Sequence, residues 1–484
     1  EKILPYTRRP EDLVDGRPIE FATSVPFYGT ALGLLVESTD GRPTKIEGNP
    51  NHPDSLGGTT ALVQAMLLDL YDPDRSTGPR HFVRPKSGGE ASTVDVGHDE
   101  AWDFLRSFGD ALKKEKGKGF AVLVDESRSP TLALALDAML RDLPEARVVR
   151  FEPFGRENAR TGAQIAFGRP LETVNDLEKA DVLLVLDGDL FDSEGSPVKA
   201  AKQFARRRKV EAGGMSRVYV AEACPTPTGT VADHRLRIQA RRVLDLALAI
   251  GVELGKHGVA VPSELVARQP AELGDKQKAF AAAVAKDLAG AKGKGLVVAG
   301  RRQPPHVHAL VAALNVALGN VGQTVRHVPL AHTVNEGAAT LMALVDAIEK
   351  REITGLLMLG GNPAFNAPAD VPFAALLERA RKPKEASDYV DLLSVHVATH
   401  VDETSQLATW HIPRAHALES WSDTIAEDGT LAVTQPLIAP LYGGHTDAEV
   451  IERLISGTRN AYELVRATWG ARLGALGFEK AWRK

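Results

Sequence analysis

Short apolar runs that recur between helical segments constrain the fold of this chain more than any other feature. The clearest are Phe120–Val124, Val182–Leu186, Gly295–Ala299 and Gly355–Leu359. Runs in which neighbouring residues are all apolar are typical of parallel strands that helices cover on both faces. The pattern predicts a doubly wound α/β fold in two rounds, over residues 95–255 and 256–395, with helices at 99–116, 131–143, 197–208, 241–254, 276–288, 305–318, 337–350 and 373–380.

The composition excludes several classes of protein. The chain has 484 residues, which is enough for about three domains. Its formal net charge is -5, so it has no excess of basic residues with which to attract nucleic acid. The longest apolar runs have the length of a strand, too short for a transmembrane helix. Cys224 is the only cysteine, which excludes internal disulfides, and we expect it to be a small buried or half-buried residue after a strand.

A polar hairpin is predicted close to the beginning of the chain. A strand at 33–38 is followed by the turn pair Asp40-Gly41 and by a second short strand at 43–47. Asp-Gly between two such runs is a strong hairpin signal, although a hairpin alone indicates no chemistry. Residues 1–30 are rich in proline and predicted to be irregular.

The order of motifs around this hairpin resembles that of a known family. EGNPNHP at 47–53 and YDPDR at 71–75, separated by a predicted helix at 59–70, are similar to the opening of the bis-molybdopterin guanine dinucleotide oxidoreductases. Further motifs, DETS at 402–405, WHIP at 410–413, HALESW at 416–421 and QPLIAPLY at 435–442, resemble one branch of that family. This branch is the molybdopterin oxidoreductase-like N-terminal half of one subunit of alternative complex III, a bacterial quinol oxidoreductase. Ser422 departs from the glycine expected there.

The resemblance implies an α/β fold with a small irregular or β N-terminal domain and two doubly wound, Rossmann-like α/β domains. We expect the N-terminal domain at 1–90, the α/β domains at 95–255 and 256–395, and at 396–484 an irregular segment that returns to the N-terminal domain and then forms helices. The family's last domain, a β-barrel, has no counterpart before Lys484. The chain stops in helix-like sequence without a capping glycine, so we expect a longer parent protein.

Catalytic members of the family hold a 4Fe-4S cluster with four cysteines around the hairpin. The corresponding places in this chain fall near Val25, Tyr28, Leu32 and Thr60. None of these side chains offers a thiolate, and one cysteine cannot hold a cluster alone. The sequence therefore predicts that no cluster of this kind forms here.

Catalytic relatives also need a Cys, selenocysteine, Ser or Asp to bind molybdenum. The corresponding stretch, residues 152–161, contains no Cys, Ser or Asp. Glu157 and Thr161 are the alternatives it offers, but the hydroxyl of a threonine is a poor donor to a high-valent metal.

Two predicted strand ends carry the loops that would face a cofactor. Carboxyl ends of parallel strands are where open α/β sheets bind ligands. Gly360–Pro363 has the Gly-Asn-Pro chemistry of the family's nucleotide loops, and its alternative reading is a tight turn without a ligand. The other loop carries Asp187, Asp189, Asp192 and Glu194, and we expect these carboxylates to repel a pyrophosphate.

Four histidines and two carboxylates lie within a short polar stretch. They are His396, His400, His411, His416, Asp402 and Glu403. Zinc or iron binding is the alternative that such a group offers. Residues 395–401 are however predicted to form a strand, in which His396 and His400 share a face without converging on one ion as a helical pair can.

The resemblance implies a non-catalytic scaffold of a respiratory complex, with no catalytic, cofactor-binding or metal-binding residues and no cofactor in this chain. Its partners would be a ferredoxin-like iron-sulfur domain or subunit, haem c subunits and an integral membrane quinol-binding subunit, on the periplasmic side of the inner membrane. Two alternatives remain open: an active molybdopterin oxidoreductase with an unusual metal ligand, and a small-molecule binding protein that uses the cleft between the α/β halves.

Overall fold

The computed structural model describes residues 16–27, 30–83, 92–212, 214–262, 272–330 and 338–482, together with Val14 and Ala267. In chain order the strands are β1 (Ile19–Phe27), β2 (Thr30–Thr39), β3 (Arg42–Gly48), β4 (Arg80–Val83), β5 (Ser92–Asp95), β6 (Phe120–Val124), β7 (Arg147–Arg150), β8 (Leu171–Asn175), β9 (Val182–Leu186), β10 (Arg217–Glu222), β11 (His234–Arg237), β12 (Gly295–Ala299), β13 (Val325–Pro329), β14 (Gly355–Leu359), β15 (Leu393–Ala398), β16 (Trp410–Pro413), β17 (Ser422–Ile425) and β18 (Leu431–Thr434).

Helices lie between most of these strands. They span Ala61–Leu70, His98–Lys114, Pro130–Asp142, Glu157–Phe167, Pro197–Arg207, Pro227–Thr230, Val243–Lys256, Asp275–Gly290, Pro305–Ala317, Ala338–Glu349, Pro363–Asn366, Phe373–Ala380, Glu403–Leu407, Asp447–Leu454, Ala461–Leu473 and Ala475–Trp482, with short 3-10 turns at Leu177–Lys179, Val210–Ala212 and Ala240–Arg242. Among the described residues, no helix combines the length and the apolar character needed to cross a membrane.

The predicted α/β fold is confirmed, with two main sheets. The larger has the strand order β5-β4-β16-β15-β14-β6-β7, in which β16, β15, β14, β6 and β7 are parallel and β4 and β5 are antiparallel. The smaller, β11-β10-β9-β12, is parallel throughout. Every residue of β6, β9, β12 and β14 is buried, because helices pack on both faces of these sheets.

The strands are not grouped as the predicted domain ranges 95–255 and 256–395 require. The larger sheet combines β4–β7 with β14–β16, and the strands of the smaller sheet lie between these two sets in the chain. β6 pairs with β14, although all strands of the smaller sheet lie between these two strands in the chain. A local apolar pattern identifies a strand but does not show which strand will be its neighbour. The prediction of two α/β domains that follow one another in the chain is therefore corrected. The segment that forms the smaller sheet is inserted in the chain between two groups of strands of the larger sheet.

The N-terminal hairpin is present as predicted. β2 and β3 are joined by Asp40 and Gly41, whose positive φ angles of 50° and 80° are those that a tight hairpin turn needs. The prediction that residues 1–30 are irregular is wrong for Ile19–Phe27, which pair with β2 along their whole length as β1. Pro26 is tolerated because β1 is an edge strand.

The first part of the segment 396–484, predicted to be irregular, contains regular structure. The end of β15, the helix Glu403–Leu407 and the strands β16, β17 and β18 all lie in it. β16 joins the larger sheet, whereas β17 and β18 form a separate antiparallel pair. These strands have only four residues each, which is too short for a periodicity to be recognised in the sequence.

Candidate functional site

One cavity of the described structure lies beyond the carboxyl end of β6. It has a volume of about 300 Å³, and its lining includes Asp125, Arg128, Arg414, Asp423 and Asp447. This is the edge at which parallel α/β sheets bind ligands. The sequence contains a signal for this site, because Asp125 follows the last apolar residue of β6 just as Asp187 follows that of β9. Of these two residues, only Asp187 is predicted from the sequence as part of a site.

An ion-pair network made by the chain itself closes this strand edge. Arg414 Nη1 lies 3.3 Å from Asp125 Oδ2, and Arg414 Nη2 donates to Asp447 Oδ2. Burial raises the pKa of Asp125 to about 6, against the opposing effect of Arg414. A Cβ atom on Gly360 would lie 2.4 Å from both Arg414 Nη1 and Asp125 Oδ2. The Gly360 loop therefore contacts side chains of its own chain at the place where a ligand would approach.

The polar groups of the loop Gly360–Pro363 are bonded within the chain. Asn362 Nδ2 donates to Glu403 Oε2 at 2.7 Å, and Asn362 Oδ1 accepts a hydrogen bond from Thr404 Oγ1 at 2.7 Å. The ring Nε2 of His396 lies 3.1 Å from the carbonyl oxygen of Gly361. Both glycines have positive φ angles, 69° and 66°. This is the geometry of a tight turn supported by its neighbours.

A second charged network lies between the two sheets. The carboxylate of Glu172, in β8, lies 2.7 Å from Arg160 Nη2, 3.3 Å from Arg128 Nη1 and 3.8 Å from Arg156 Nη1. Arg156 also contacts Glu427 at 2.8 Å, and Arg160 contacts Glu126 at 3.1 Å. Burial acts to raise the pKa of Glu172, but the three guanidinium groups lower it below its usual value. None of these residues was predicted from the sequence as part of a site.

The carboxylates of the loop after β9 do not form one negative cluster as predicted. Asp187 accepts hydrogen bonds from Gln303 Nε2 at 2.8 Å and from the Ala223 amide at 3.1 Å. Asp189 accepts one from Thr228 Oγ1 at 2.7 Å. Asp192 is exposed, and Glu194 lies in a separate cavity of about 90 Å³. Asp187 and Asp189 are thus held by hydrogen bonds from residues of the smaller sheet's loops.

Glu194 should make the stability of the protein depend on pH. Burial raises its pKa to about 7, although the Arg301 amide donates to it at 2.8 Å. Since the folded state keeps this proton while the unfolded chain releases it near 4.5, the stabilising contribution is complete at low pH and is lost as the pH rises from about 4.5 to 7. We expect Glu194→Gln to raise the free energy of unfolding by roughly 1–3 kcal/mol at pH 8 and to leave it unchanged at pH 4.5.

The measurement is denaturant unfolding at both pH values, with Glu178→Gln as the control. Glu178 is an exposed residue whose contact with Arg206 Nη1 at 3.1 Å is of a kind that contributes little. An equal effect of Glu194→Gln at the two pH values would contradict the prediction.

Hydrophobic packing fills the described places where catalytic relatives carry cluster cysteines. Val25 and Leu32 lie opposite each other in β1 and β2 and are buried in one apolar cluster. Thr60 caps the helix Ala61–Leu70, accepting a hydrogen bond from the Val63 amide at 3.2 Å. Tyr28 lies outside the described residues. The three described positions thus have structural roles.

The two alternative metal ligands do not face the cavities. Glu157 is the first residue of the helix Glu157–Phe167, and Thr161 is exposed on it. The residues that line the cavities of about 300 and 90 Å³ include neither. Glu157 Oε2 is buried without a hydrogen-bond partner among the described residues, beside Gly155.

The four histidines separate into two pairs. His396 Nδ1 and His411 Nδ1 both lie within 2.9 Å of Ser405 Oγ, and the three residues are buried together. Burial lowers the pKa of His411 to about 3, so the His411 ring is neutral. Through Ser405 the two histidines connect β15 to β16. His400 and His416 instead approach Asp69, at 4.0 and 3.4 Å. The predicted strand at 395–401 is confirmed as far as Ala398.

Cys224 is exposed, which corrects the prediction of a buried or half-buried residue. It lies in the turn between β10 and the short helix Pro227–Thr230. The last buried residue of the strand before it is Glu222. A residue that follows a buried strand is buried only if the chain continues in the sheet, and here the chain turns outward.

Comparisons with known proteins give relatives of one kind. The chain is 25% identical over 443 residues to the molybdopterin-binding-like subunit of menaquinone reductase from Nitratidesulfovibrio vulgaris, covering 85% of this chain and 61% of that protein. It is 30% identical over 253 residues to a sulfite dehydrogenase chain from Allochromatium vinosum, covering 51% of this chain and 25% of that one. No protein family model matches.

A solved structure extends the likeness to nearly the whole fold. Acetylene hydratase from Pelobacter acetylenicus superposes with a TM-score of 0.67 over 94% of this chain and 71% of its own, at 13% sequence identity. Periplasmic nitrate reductase from Desulfovibrio desulfuricans is 27% identical over 250 residues, which cover 48% of this chain and 30% of that enzyme. In its α/β fold and in these relatives, the chain is similar to proteins of the molybdopterin oxidoreductase kind, and it spans less than two thirds of the length of the curated relatives that it matches.

Proposed function

We propose that this chain is a non-catalytic scaffold in a respiratory quinol oxidoreductase of the alternative complex III type, whose redox centres are carried by other parts of the complex. The observation that carries the proposal is the strand edge beyond β6 and β14. There, the ion pairs of Arg414 with Asp125 and Asp447 occupy the approach to the Gly360 loop.

The residues at these strand ends do not fit a pterin dinucleotide. Its pyrophosphate groups need free backbone N–H groups and cations. Arg128, Arg156 and Arg160 contact carboxylates of this chain, and Arg414 does the same. The cavity beyond β6 and the cavity beside Glu194, of about 300 and 90 Å³, are also at or below the lower end of the volumes in which proteins bind small molecules. The chain further lacks the thiolates for an iron-sulfur cluster.

A respiratory role is supported by one relative in particular. The protein that matches over most of this chain is described as a molybdopterin-binding-like subunit of a menaquinone reductase. The motifs of this chain resemble those of a subunit of alternative complex III, and on that basis we also propose partners and a location. These are a ferredoxin-like iron-sulfur domain or subunit, haem c subunits and an integral membrane quinol-binding subunit, on the periplasmic side of the inner membrane.

One observation favours a second candidate function, the binding of a small anion in the cleft. Arg301 borders the 90 Å³ cavity, and its Nε and Nη2 have no hydrogen-bond partner among the described residues. The nearest carboxylate oxygen to Arg301 Nε is that of Glu194, at 3.9 Å. This pair leaves room for a small anion but not for a nucleotide.

The test is the content of the protein as purified from cells that supply molybdenum and pterin to a catalytic relative expressed in parallel. We expect molybdenum, iron and fluorescent pterin oxidation products far below one equivalent per chain, with full occupancy in the relative. Guanosine diphosphate should show no saturable binding in equilibrium dialysis. Stoichiometric molybdenum or pterin would reject the scaffold function in favour of an active enzyme that uses Glu157 or Thr161.

A further inference from the structure

Two carboxylates and a histidine converge at the junction between the N-terminal domain and the larger sheet. Asp69 is in the last turn of the helix Ala61–Leu70, Asp72 is in the turn that follows, and His400 is in the loop after β15. One ligand atom from each of these three side chains can be chosen so that all lie within 4.8 Å of one another. The end of a helix, the turn after it and a loop distant in sequence thus place their donor atoms close to one point.

The distances match those around a small divalent ion. His400 Nε2 lies 3.4 Å from Asp72 Oδ2 and 4.0 Å from Asp69 Oδ1. Bonds of about 2.0–2.1 Å from zinc to nitrogen and oxygen place neighbouring ligands roughly 3.3 Å apart in a tetrahedron. Small shifts of exposed side chains would bring all three donors to that separation.

The remaining polar atoms of these side chains orient the donors. His400 Nδ1 lies 3.0 Å from Thr399 Oγ1, and a proton on Nδ1 leaves the Nε2 lone pair facing the two carboxylates. Asp72 Oδ1 accepts a hydrogen bond from the Asp74 amide at 2.8 Å, while Asp72 Oδ2 faces His400. Metal-binding histidines usually have the other ring nitrogen fixed in this way.

An independent observation comes from His416, which is buried with 4% of its side chain exposed. Its Nδ1 accepts a hydrogen bond from the Leu418 amide at 3.1 Å, so the proton of the neutral ring is on Nε2. That Nε2 lies 3.4 Å from Asp69 Oδ2, but it makes no hydrogen bond of good geometry with this oxygen or with any other described atom. A buried imidazole beside one oxygen of Asp69 leaves the other oxygen for an ion, as expected of an outer ligand shell.

We propose that Asp69, Asp72 and His400 bind one redox-inert divalent metal ion, for which Zn²⁺ is the best match, with a remaining coordination position open to water. The imidazole is a borderline ligand, and its presence beside two hard carboxylates favours Zn²⁺ over Mg²⁺ and Ca²⁺, which prefer all-oxygen sites. The ion connects the end of the helix Ala61–Leu70 to the loop that follows β15, and thereby holds the hairpin domain on the larger sheet.

The test uses the full chain after removal of metal with a chelator. Titration with Zn²⁺ against a chromophoric competitor should show one site, and neither Mg²⁺ nor Ca²⁺ should compete at millimolar concentration. Asp72→Asn and His400→Gln should weaken Zn²⁺ binding at least about 100-fold, and His416→Gln about 10–100-fold. Two exposed residues outside the three ligands provide the matched controls, Asp74→Asn and His257→Gln, which should bind as the unchanged protein does.

Two readouts separate loss of binding from loss of structure. The melting temperature of the metal-free variants should equal that of the metal-free parent, and Zn²⁺ should raise it only where the site is intact. In the unchanged protein, Co²⁺ should give visible absorption bands of a four- or five-coordinate site. Absence of stoichiometric binding, equal binding by Asp72→Asn and His400→Gln, or a preference for Mg²⁺ or Ca²⁺ would overturn the proposal. Zinc content and molybdenum content are separate measurements, so this result leaves the scaffold function to its own test.

Discussion

Replacing Arg75 by methionine should lower the free energy of unfolding by about 3–5 kcal/mol. Arg75 and Glu419 form a bidentate ion pair, with Nη1–Oε1 and Nη2–Oε2 distances of 3.0 and 2.8 Å, and their side chains are only 2% and 0% exposed. Glu419 also accepts hydrogen bonds from the amides of His416 and Leu441. The variant would leave the buried carboxylate of Glu419 without its counter-charge. This ion pair joins the N-terminal domain to the segment that follows β16.

The measurement is denaturant unfolding followed by tryptophan fluorescence and circular dichroism. Arg147→Met is the matched control, because the contact of Arg147 with Glu352 at 3.1 Å is about half exposed and should contribute less than about 1 kcal/mol. Adding Glu419→Leu to Arg75→Met should recover part of the loss, since no unpaired charge then remains. If Arg75→Met and Arg147→Met lowered the free energy of unfolding equally, the buried ion pair would contribute no more to stability than the exposed one.

Replacing Glu172 by glutamine should have an effect of similar size, again about 3–5 kcal/mol. The network between the sheets balances the arginines 128, 156 and 160 against the glutamates 126, 172 and 427. Removing one negative charge leaves buried guanidinium groups in excess, so we expect the contacts of β8 with the three arginines to weaken.

Urea unfolding of the variant beside Glu178→Gln measures this loss. The control should change the free energy of unfolding by less than about 1 kcal/mol, because its ion pair is exposed. Combining Glu172→Gln with Arg128→Met restores the charge balance and should return part of the stability. A loss below about 1 kcal/mol for Glu172→Gln would mean that the arginines find other partners or water.

The elements with strong local signals were predicted closely from the sequence. Strands at 120–124, 295–299 and 355–359 and the helix at 373–380 have the predicted bounds, because uninterrupted apolar runs and helical spacing are local properties. The pairing of β6 with β14 could not be predicted in this way, since it depends on which partner strand buries the most surface in three dimensions. The same limit explains the wrong contiguous domain ranges.

The candidate site was less predictable than the fold. Gly360–Pro363 and Asp187 were recognised because they follow apolar strands, and the structure places them at strand ends. The ion pairs near these strand ends involve Arg414 and Glu172, which belong to segments without a recognisable local pattern. These ion pairs form only after folding. The proximity of His400 to Asp72 has the same origin, because the Tyr71–Arg75 turn and the loop after β15 meet only in the folded chain.

The insertion of one sheet within the other has a consequence for synthesis on the ribosome. Phe120 lies opposite Gly355, so an edge of β6 has no partner strand until the whole inserted unit has been translated. The inserted parallel sheet can fold first, whereas the surrounding one must wait with an apolar edge exposed. Nascent chains that end before residue 355 should therefore bind holdase chaperones, and their release should coincide with the emergence of β14.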